Sequence, residues 1–358
     1  MLPSESSPLT GAEPERKAAN VSGSSRHRFV PALLVLVCVA CGSADAVSKH
    51  VLLQMAVPPL LSATVGSTLR FCFQLPMVLI QAHASGNEQL SHAATTFFNH
   101  SKWWLGALQL LVETVNSWSY SLANSYSSQP AVVALLTGVS FIWSPLMAAS
   151  IGMESCRPGI ALASVGALIA LGMVVGLPML GQVPAATLEH QNTTLLPTVS
   201  SHSAIHEAVG TLLALVCGIA MAGSIVTYRY VVMTLSNSAT SIVLLAGPFS
   251  SLLAACVSAY CLLVDVHSSD RPSLSLSLHL ISFWVVVCVN AFLQAVYMFG
   301  LSVGTKYLTS FEVCLLILTE VIWAPMYTAV LLHELPSLWT LPGSGLLLVV
   351  LVAFAVGL

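Results

Sequence analysis
Apolar stretches of about 20 residues, the length a helix needs to cross the hydrocarbon core of a bilayer, recur along the chain with short polar or turn-forming segments between them. Ten can be counted, near 30–55, 57–82, 103–124, 129–150, 158–179, 208–232, 239–264, 279–301, 307–331 and 337–357. Their length and their Leu, Ala, Val and Gly content predict α-helices, since a membrane barrel would show strands of roughly ten residues with alternating polarity. Lipid admits no other spanning structure, because every backbone N–H and C=O must be satisfied within the protein. The pattern predicts an all-α membrane protein of ten transmembrane helices, five in each half.

Two of these segments repeat one another. Ile142-Trp143-Ser144-Pro145 returns as Ile322-Trp323-Ala324-Pro325, and a glutamate stands nine residues after each proline, Glu154 and Glu334. The offset of 180 residues is about half of the 358-residue chain and falls inside apolar segments, so the duplicated unit is membrane-embedded. Five helices per unit is an odd number, which sends the second unit into the membrane from the opposite side. Inverted repeats of this kind would end the fourth helix at the inner face with Glu154 and the ninth at the outer face with Glu334. They suit alternating access, in which exchanging the conformations of the two units turns an inward-open state into an outward-open one around a midplane site. Pro145 and Pro325 are expected to bend their helices and free the carbonyls of Phe141 and Val321, as hinges or as fixed bends.

Composition removes the soluble alternatives. Apolar residues make up 56% of the chain and charged ones 7%, against roughly 25% charge in ordinary globular domains; mean hydropathy is +0.87. The few charges set an orientation. With a cytosolic N-terminus, Arg16, Lys17, Arg26, Arg28, Lys102, Arg157, Arg229 and Lys306 fall at the inner face, eight of the eleven basic residues, as the positive-inside rule requires. Lys49 and Arg271 then lie toward the outside, and Arg70 sits within the second helix. Residues 1–28 are polar and read as a disordered cytosolic tail with no signal peptide, which makes the first helix a retained anchor. The longest outer loop, 180–207, is a non-cytosolic linker whose sequon makes Asn192 a candidate glycosylation site, while the sequons at Asn20 and Asn99 would be cytosolic and unmodified. Eight of the nine cysteines fall inside predicted spans and read as small packing residues. Cys38-x-x-Cys41 lacks a second ligand pair, so no metal site and no cofactor are expected.

Polar groups inside the spans carry the candidate chemistry. Glu113, Asn116 and Tyr120 fall at i, i+3, i+7 on the third helix, and Asn290, Gln294 and Tyr297 at i, i+4, i+7 on the eighth, each forming one helical face. Glu113 matches Asn290 and Tyr120 matches Tyr297 at an offset of 177. Polar groups in hydrocarbon need partners, so the two faces are expected to line the bundle interior or a watery cavity; interhelical hydrogen bonds that lock the packing are the alternative. The candidate intramembrane charges are Asp45, Lys49, Arg70, Glu113, Glu312 and Glu320. Each costs about 2.5–3.5 kcal/mol at a helix centre on insertion scales, so several together require pairing or an aqueous path. Asp45, Lys49 and Glu312 stand near helix ends, where they can also reach the interface, whereas Arg70, Glu113 and Glu320 are the stronger pathway candidates. Glu312 and Glu320 lie on neighbouring helical faces and could reach one cavity. Glu113 or Glu320 would be the proton carrier if transport is proton-coupled. Trp118, Tyr120, Trp143, Tyr297 and Trp323 could shape an apolar pocket, although interfacial or core packing fits Trp143 and Trp323 better.

Over residues 30–357 the chain resembles the drug/metabolite transporter superfamily, of the type built from two EamA domains of five helices each. A glutamate often ends the fourth helix of each repeat in that family, as in Met153-Glu154-Ser155 and His333-Glu334-Leu335. The family pattern has an inner glutamate fourteen residues earlier, and Glu320 stands at that spacing. An arginine in the second helix after a proline-containing start also matches, in Pro58-Pro59 and Leu69-Arg70. The chain departs from the pattern where Val321 replaces a usual proline, where the first repeat has Ser140-Phe141, and where the prolines have moved on to Pro145 and Pro325. The resemblance implies EamA-like repeats over 29–179 and 208–358 and a central cavity between them. Its expected activity is secondary transport or export of a small organic solute such as an amino acid, metabolite or drug. In that frame Arg70 and Glu320 can serve helix packing while the third and eighth helices set the solute. Carriers of phosphorylated solutes share the topology but need basic residues for phosphate, and only Arg70, Lys49 and Lys306 are available.

Other classes fit less well. His333-Glu334 opens a zinc-protease pattern, but Ser337 stands where its second histidine belongs. No histidine sits in mid-span, and nucleotide-binding glycine patterns are missing, so neither an intramembrane enzyme nor an ATP-driven pump is expected. A non-transporting receptor or scaffold on the same bundle is the alternative reading; the short tail and a C-terminus directly after the last span give it little to signal through. The expected partners are a small-molecule solute, the lipid bilayer and, under coupling, protons, with no nucleic acid; a homodimer stays open. The protein is expected to be multi-pass, in the plasma membrane or an endomembrane.

Overall fold
The computed structural model describes residues 26–55, 57–84, 103–126, 137–154, 158–173, 201–234, 240, 243–268, 281–331, 333 and 340–356. These residues form helices and no strands. The helices are α1 (Arg26–Ser43), α2 (Asp45–Gln54), α3 (Pro59–Ala84), α4 (Trp104–Tyr126), α5 (Ser140–Ser150) and α6 (Pro158–Leu171) in the first half. The second half contains α7 (Ser201–Thr234), α8 (Ala246–Ser268), α9 (Ile281–Tyr307), α10 (Ser310–Ile317), α11 (Glu320–Leu331) and α12 (Thr340–Val356). Each predicted apolar segment holds at least one of them. Asn192, Glu334 and nearly all of the expected tail lie outside the described residues.

Among the described residues, five stretches are long and apolar enough to cross a bilayer, Leu60–His83, Ala208–Thr234, Ala246–Val264, Ile281–Tyr307 and Ser310–Leu331, which marks an integral membrane protein. Shorter apolar helices are Phe29–Ser43, Pro158–Leu171 and Pro342–Ala353. Leu162, Val165 and Ile169 on α6 and Val349 and Val352 on α12 are exposed, a clustering of large apolar side chains that suits a lipid-facing surface.

Three predicted spans are broken, and the breaks have local causes. The first is interrupted at Ala44, after Gly42 and Ser43, both weaker helix formers than alanine. Ser43 also turns its hydroxyl back onto the Val39 carbonyl at 2.8 Å, which loosens the ladder. The ninth is interrupted at Leu318-Thr319, where Thr319 bonds the Leu316 carbonyl at 2.6 Å. Its counterpart in the first half breaks at Val139, at the 180-residue offset from Thr319. Both interruptions stand six residues before Pro145 and Pro325, not at the carbonyls those prolines were expected to free. The prolines sit inside α5 and α11, and at the interruptions Val139 and Leu318 keep right-handed helical dihedrals. α7 starts at Ser201, seven residues before the predicted span.

Packing runs mainly between the halves. α4 lies against α7 and α8, and α1 and α3 lie against α9; α3 packs on α8, α5 on α7 and α10, and α6 on α12. α1 meets α9 at Gly300 and Gly304, a small-xxx-small pair. A Cβ at Gly304 would meet Val35 at 2.3 Å, and one at Gly300 would meet Cys38 at 2.4 Å. The main core gathers Val35, Val39, Phe141, Met221, Tyr297, Phe311, Leu315 and Leu347 from both halves.

Candidate functional site
The polar face of α4 is longer than its three predicted residues. Gln109 stands one turn before Glu113 and donates to its Oε1 at 2.8 Å, and Ser224 on α7 donates to the same oxygen at 3.1 Å. Ser250 on α8 reaches Oε2 at 3.5 Å. The Glu113 carboxylate is thus held by three neutral donors from three helices. Asn116 accepts from the Cys217 thiol at 3.2 Å and is buried.

One turn further on, the Tyr120 hydroxyl donates to Asp45 Oδ2 at 2.9 Å, and Asn290 Nδ2 on α9 donates to Oδ1 at 2.7 Å. Asp45 is 4% exposed at the start of α2. It does not reach for the interface, because the break at Ala44 places it inside the bundle, where a carboxylate is tolerable only with such donors. Gln294 donates to the Gly42 carbonyl at 3.1 Å, a group close to that same break. The backbone interruption and the polar face of α9 therefore satisfy each other.

Two cavities open beside these networks. The larger, about 700 Å³, is bounded by Gln74, Glu113, Asn116, Ser224 and Tyr228 with apolar residues around them. The smaller, about 490 Å³, is bounded by Arg70, Tyr120, Gln294, Tyr297 and Glu320. Asn116, Met221 and Met298 belong to both linings and form the layer between the cavities. Seven of the eight expected pathway residues thus line one or both, namely Arg70, Glu113, Asn116, Tyr120, Gln294, Tyr297 and Glu320. Asn290 lines neither, since Asp45 engages it. Glu312 does not join Glu320: it closes a capping box at the start of α10, accepting from the Thr309 amide at 2.6 Å while the Glu312 amide donates to Thr309 Oγ1 at 3.2 Å.

The Glu154 carboxylate follows α5 and forms an ion pair with Arg229 at 2.9 Å while also accepting from the Ser310 amide at 3.0 Å. Arg229 donates from Nη1 to the Thr305 carbonyl at 3.1 Å and to that of Leu308. The pair thus satisfies both sides of the α9–α10 junction, with a cation on the carbonyl end of one helix and an anion on the amide end of the next, each favoured by the helix dipole. Arg229 was visible in the sequence only as a positive charge near a span end. Trp143 and Trp323 are half-buried with their indole nitrogens shielded from solvent, which is core packing.

No family profile matches the chain, and no curated protein matches it. A solved crystal structure of another protein, 15% identical, aligns with a TM-score of 0.62 over 92% of this chain and 97% of that one. At that identity the likeness reaches the overall fold alone.

Proposed function
We propose that the protein is a secondary transporter of a small organic solute, built as ten spans in two inverted five-helix repeats and working by alternating access. The observation that carries this reading is the pair of neighbouring cavities bordered by Arg70, Glu113, Asn116, Gln294 and Glu320 inside a predominantly apolar bundle. A scaffold has no need for such groups at mid-helix, whereas a solute path does.

Packing supports the duplication. Exchanging the first five predicted spans for the second five turns the α4–α7 contact into that of α1 and α2 with α9, the α4–α8 contact into α3–α9, and the α5–α7 contact into that of α1 with α10 and α11. The α3–α8, α5–α10 and α6–α12 contacts map onto themselves. The Glu154 cluster supports the span count. In a chain that crosses ten times, the ends of the fourth, sixth and eighth spans and the start of the ninth share one side, and Glu154, Arg229, Thr305 and Ser310 meet there.

The test is an untargeted solute screen with the purified full-length protein in liposomes. Flux of at least one small organic solute is expected; a bound solute without flux would favour a receptor or scaffold. Single cysteines at positions 155 and 336 should label from opposite sides of the bilayer, and labelling from one side would remove the inverted arrangement.

A further inference from the structure
We propose that the wall of the larger cavity holds a binding site for a small monovalent cation, sodium, made by the Glu113 carboxylate, the hydroxyls of Ser224 and Ser250 and the side-chain carbonyl of Gln109. The site is defined by these groups alone and does not require the transport reading.

Glu113 stands in the middle of α4, and its two carboxylate oxygens are not served alike. Oε1 accepts from Gln109 at 2.8 Å and from Ser224 at 3.1 Å. Oε2 has only Ser250 among the described residues, at 3.5 Å. A serine hydroxyl carries one hydrogen, and the Gly247 carbonyl draws that of Ser250 at 2.7 Å. The shorter bond takes the larger share, so Oε2 and Ser250 Oγ face each other mainly as two acceptors. Gln109 adds to the shortage of positive partners. Its side chain is 1% exposed, and its carbonyl oxygen meets no donor among the described residues. Buried oxygens left in this way are costly in an apolar bundle, and a bound cation removes the cost.

An all-oxygen set of carboxylate, hydroxyl and amide groups suits a hard cation. The 3.5 Å between Oε2 and Ser250 Oγ matches two neighbouring ligands of an ion about 2.4 Å from each. On the other carboxylate oxygen, Ser224 Oγ stands at 3.1 Å and Gln109 Nε2 at 2.8 Å. Half a turn of the Gln109 amide exchanges its nitrogen and oxygen at no change in volume and brings the unmet carbonyl to that place. Charge sets the valence. One carboxylate neutralises one positive charge, and Arg70 already lies within electrostatic reach of Glu113, so a divalent ion would leave an excess. Among the described residues no group of three or more His, Cys, Asp or Glu side chains is assembled, which serves transition metals poorly. Glu113 and Ser224 line the 700 Å³ cavity, from which water can complete the shell.

The experiment measures binding of radiolabelled sodium to the purified full-length protein in detergent, with unlabelled sodium, potassium, calcium and choline chlorides as competitors at constant ionic strength. Thermal unfolding in the same salts is followed alongside. Saturable sodium binding is expected, with a higher unfolding temperature in sodium than in choline and competition by potassium at least roughly tenfold weaker than by sodium. Ser224→Ala removes one oxygen and should weaken sodium by roughly tenfold; Glu113→Gln should abolish the binding. Absence of saturable binding, potassium or calcium competing as well as sodium, or undiminished sodium binding by Glu113→Gln overturns the proposal. If Glu113→Gln fails to fold, Ser224→Ala and the competition series on the unmodified protein decide. Solute flux without sodium binding sinks this proposal and leaves transport standing, whereas sodium binding without flux of any solute does the reverse.

Discussion

Breaking the Arg229–Glu154 pair should cost more than its place near a helix end suggests. The two side chains are 16% and 13% exposed and 2.9 Å apart. Exposed pairs contribute about 0–1 kcal/mol, while removing one partner of a buried pair costs about 3–5 kcal/mol; this pair is closer to the second case. Glu154→Gln keeps an acceptor for the Ser310 amide and loses the charge, for an expected cost of about 1–2 kcal/mol. Arg229→Met additionally strips the carbonyls of Thr305 and Leu308 of their donor, for about 3 kcal/mol. The double variant should fall short of the sum by about 1.5 kcal/mol, the coupling of contacting partners. Equilibrium unfolding in mixed micelles measures all four proteins of the cycle. Additivity within about 0.5 kcal/mol, or equal costs for the two single variants, would refute the reasoning. Raising salt from 0.1 to 0.5 M should change the coupling by less than half, since screening acts weakly on buried charge.

Gly304→Ala should destabilise by about 1–3 kcal/mol in the same unfolding assay, because its Cβ would meet Val35 at 2.3 Å, whereas Gly345→Ala, with nothing within 4 Å, should be neutral or stabilising. Tyr120→Phe removes a hydroxyl from Asp45 and should lower stability by about 1.5–3 kcal/mol; no measurable change would mean that Asp45 draws its support elsewhere. If flux is proton-coupled, Glu113→Gln or Glu320→Gln should flatten its dependence on external pH in liposomes. An unchanged profile in both variants would remove these carboxylates as proton carriers.

Helix type and approximate position were legible throughout, because twenty-residue apolar stretches leave a chain few options in lipid. The polar face of α4 was legible from spacing, and one more step back along the same period would have added Gln109. Asp45 was harder to place. Its burial follows from a break at Ala44 that depends on Gly42 and Ser43, and a hydropathy window averages over such a break. The prolines drew attention to Phe141 and Val321, while the interruptions fell at Val139 and Leu318-Thr319, a choice made by local hydrogen bonds that the apolar pattern does not encode. Arg229 and Glu154 are 75 residues apart, and pairing over such a separation has no local signature. Ser224 and Ser250 were invisible for a related reason: a serine in an apolar helix usually bonds its own backbone, and only tertiary packing turns it toward a carboxylate.

The cross-half packing has a consequence for biogenesis. α1, α4 and α6 find their main neighbours, α9, α7 and α12, at least 75 residues later in the chain. The N-terminal half must therefore leave the ribosome and enter the bilayer well before the surfaces that will cover it have been made. Until then Asp45 waits without Asn290 and Glu113 without Ser224, so early stages of synthesis expose polar groups to lipid or to whatever insertion machinery shields them. Defects in the last helices should thus appear as degradation of the whole polypeptide rather than as a stable N-terminal fragment.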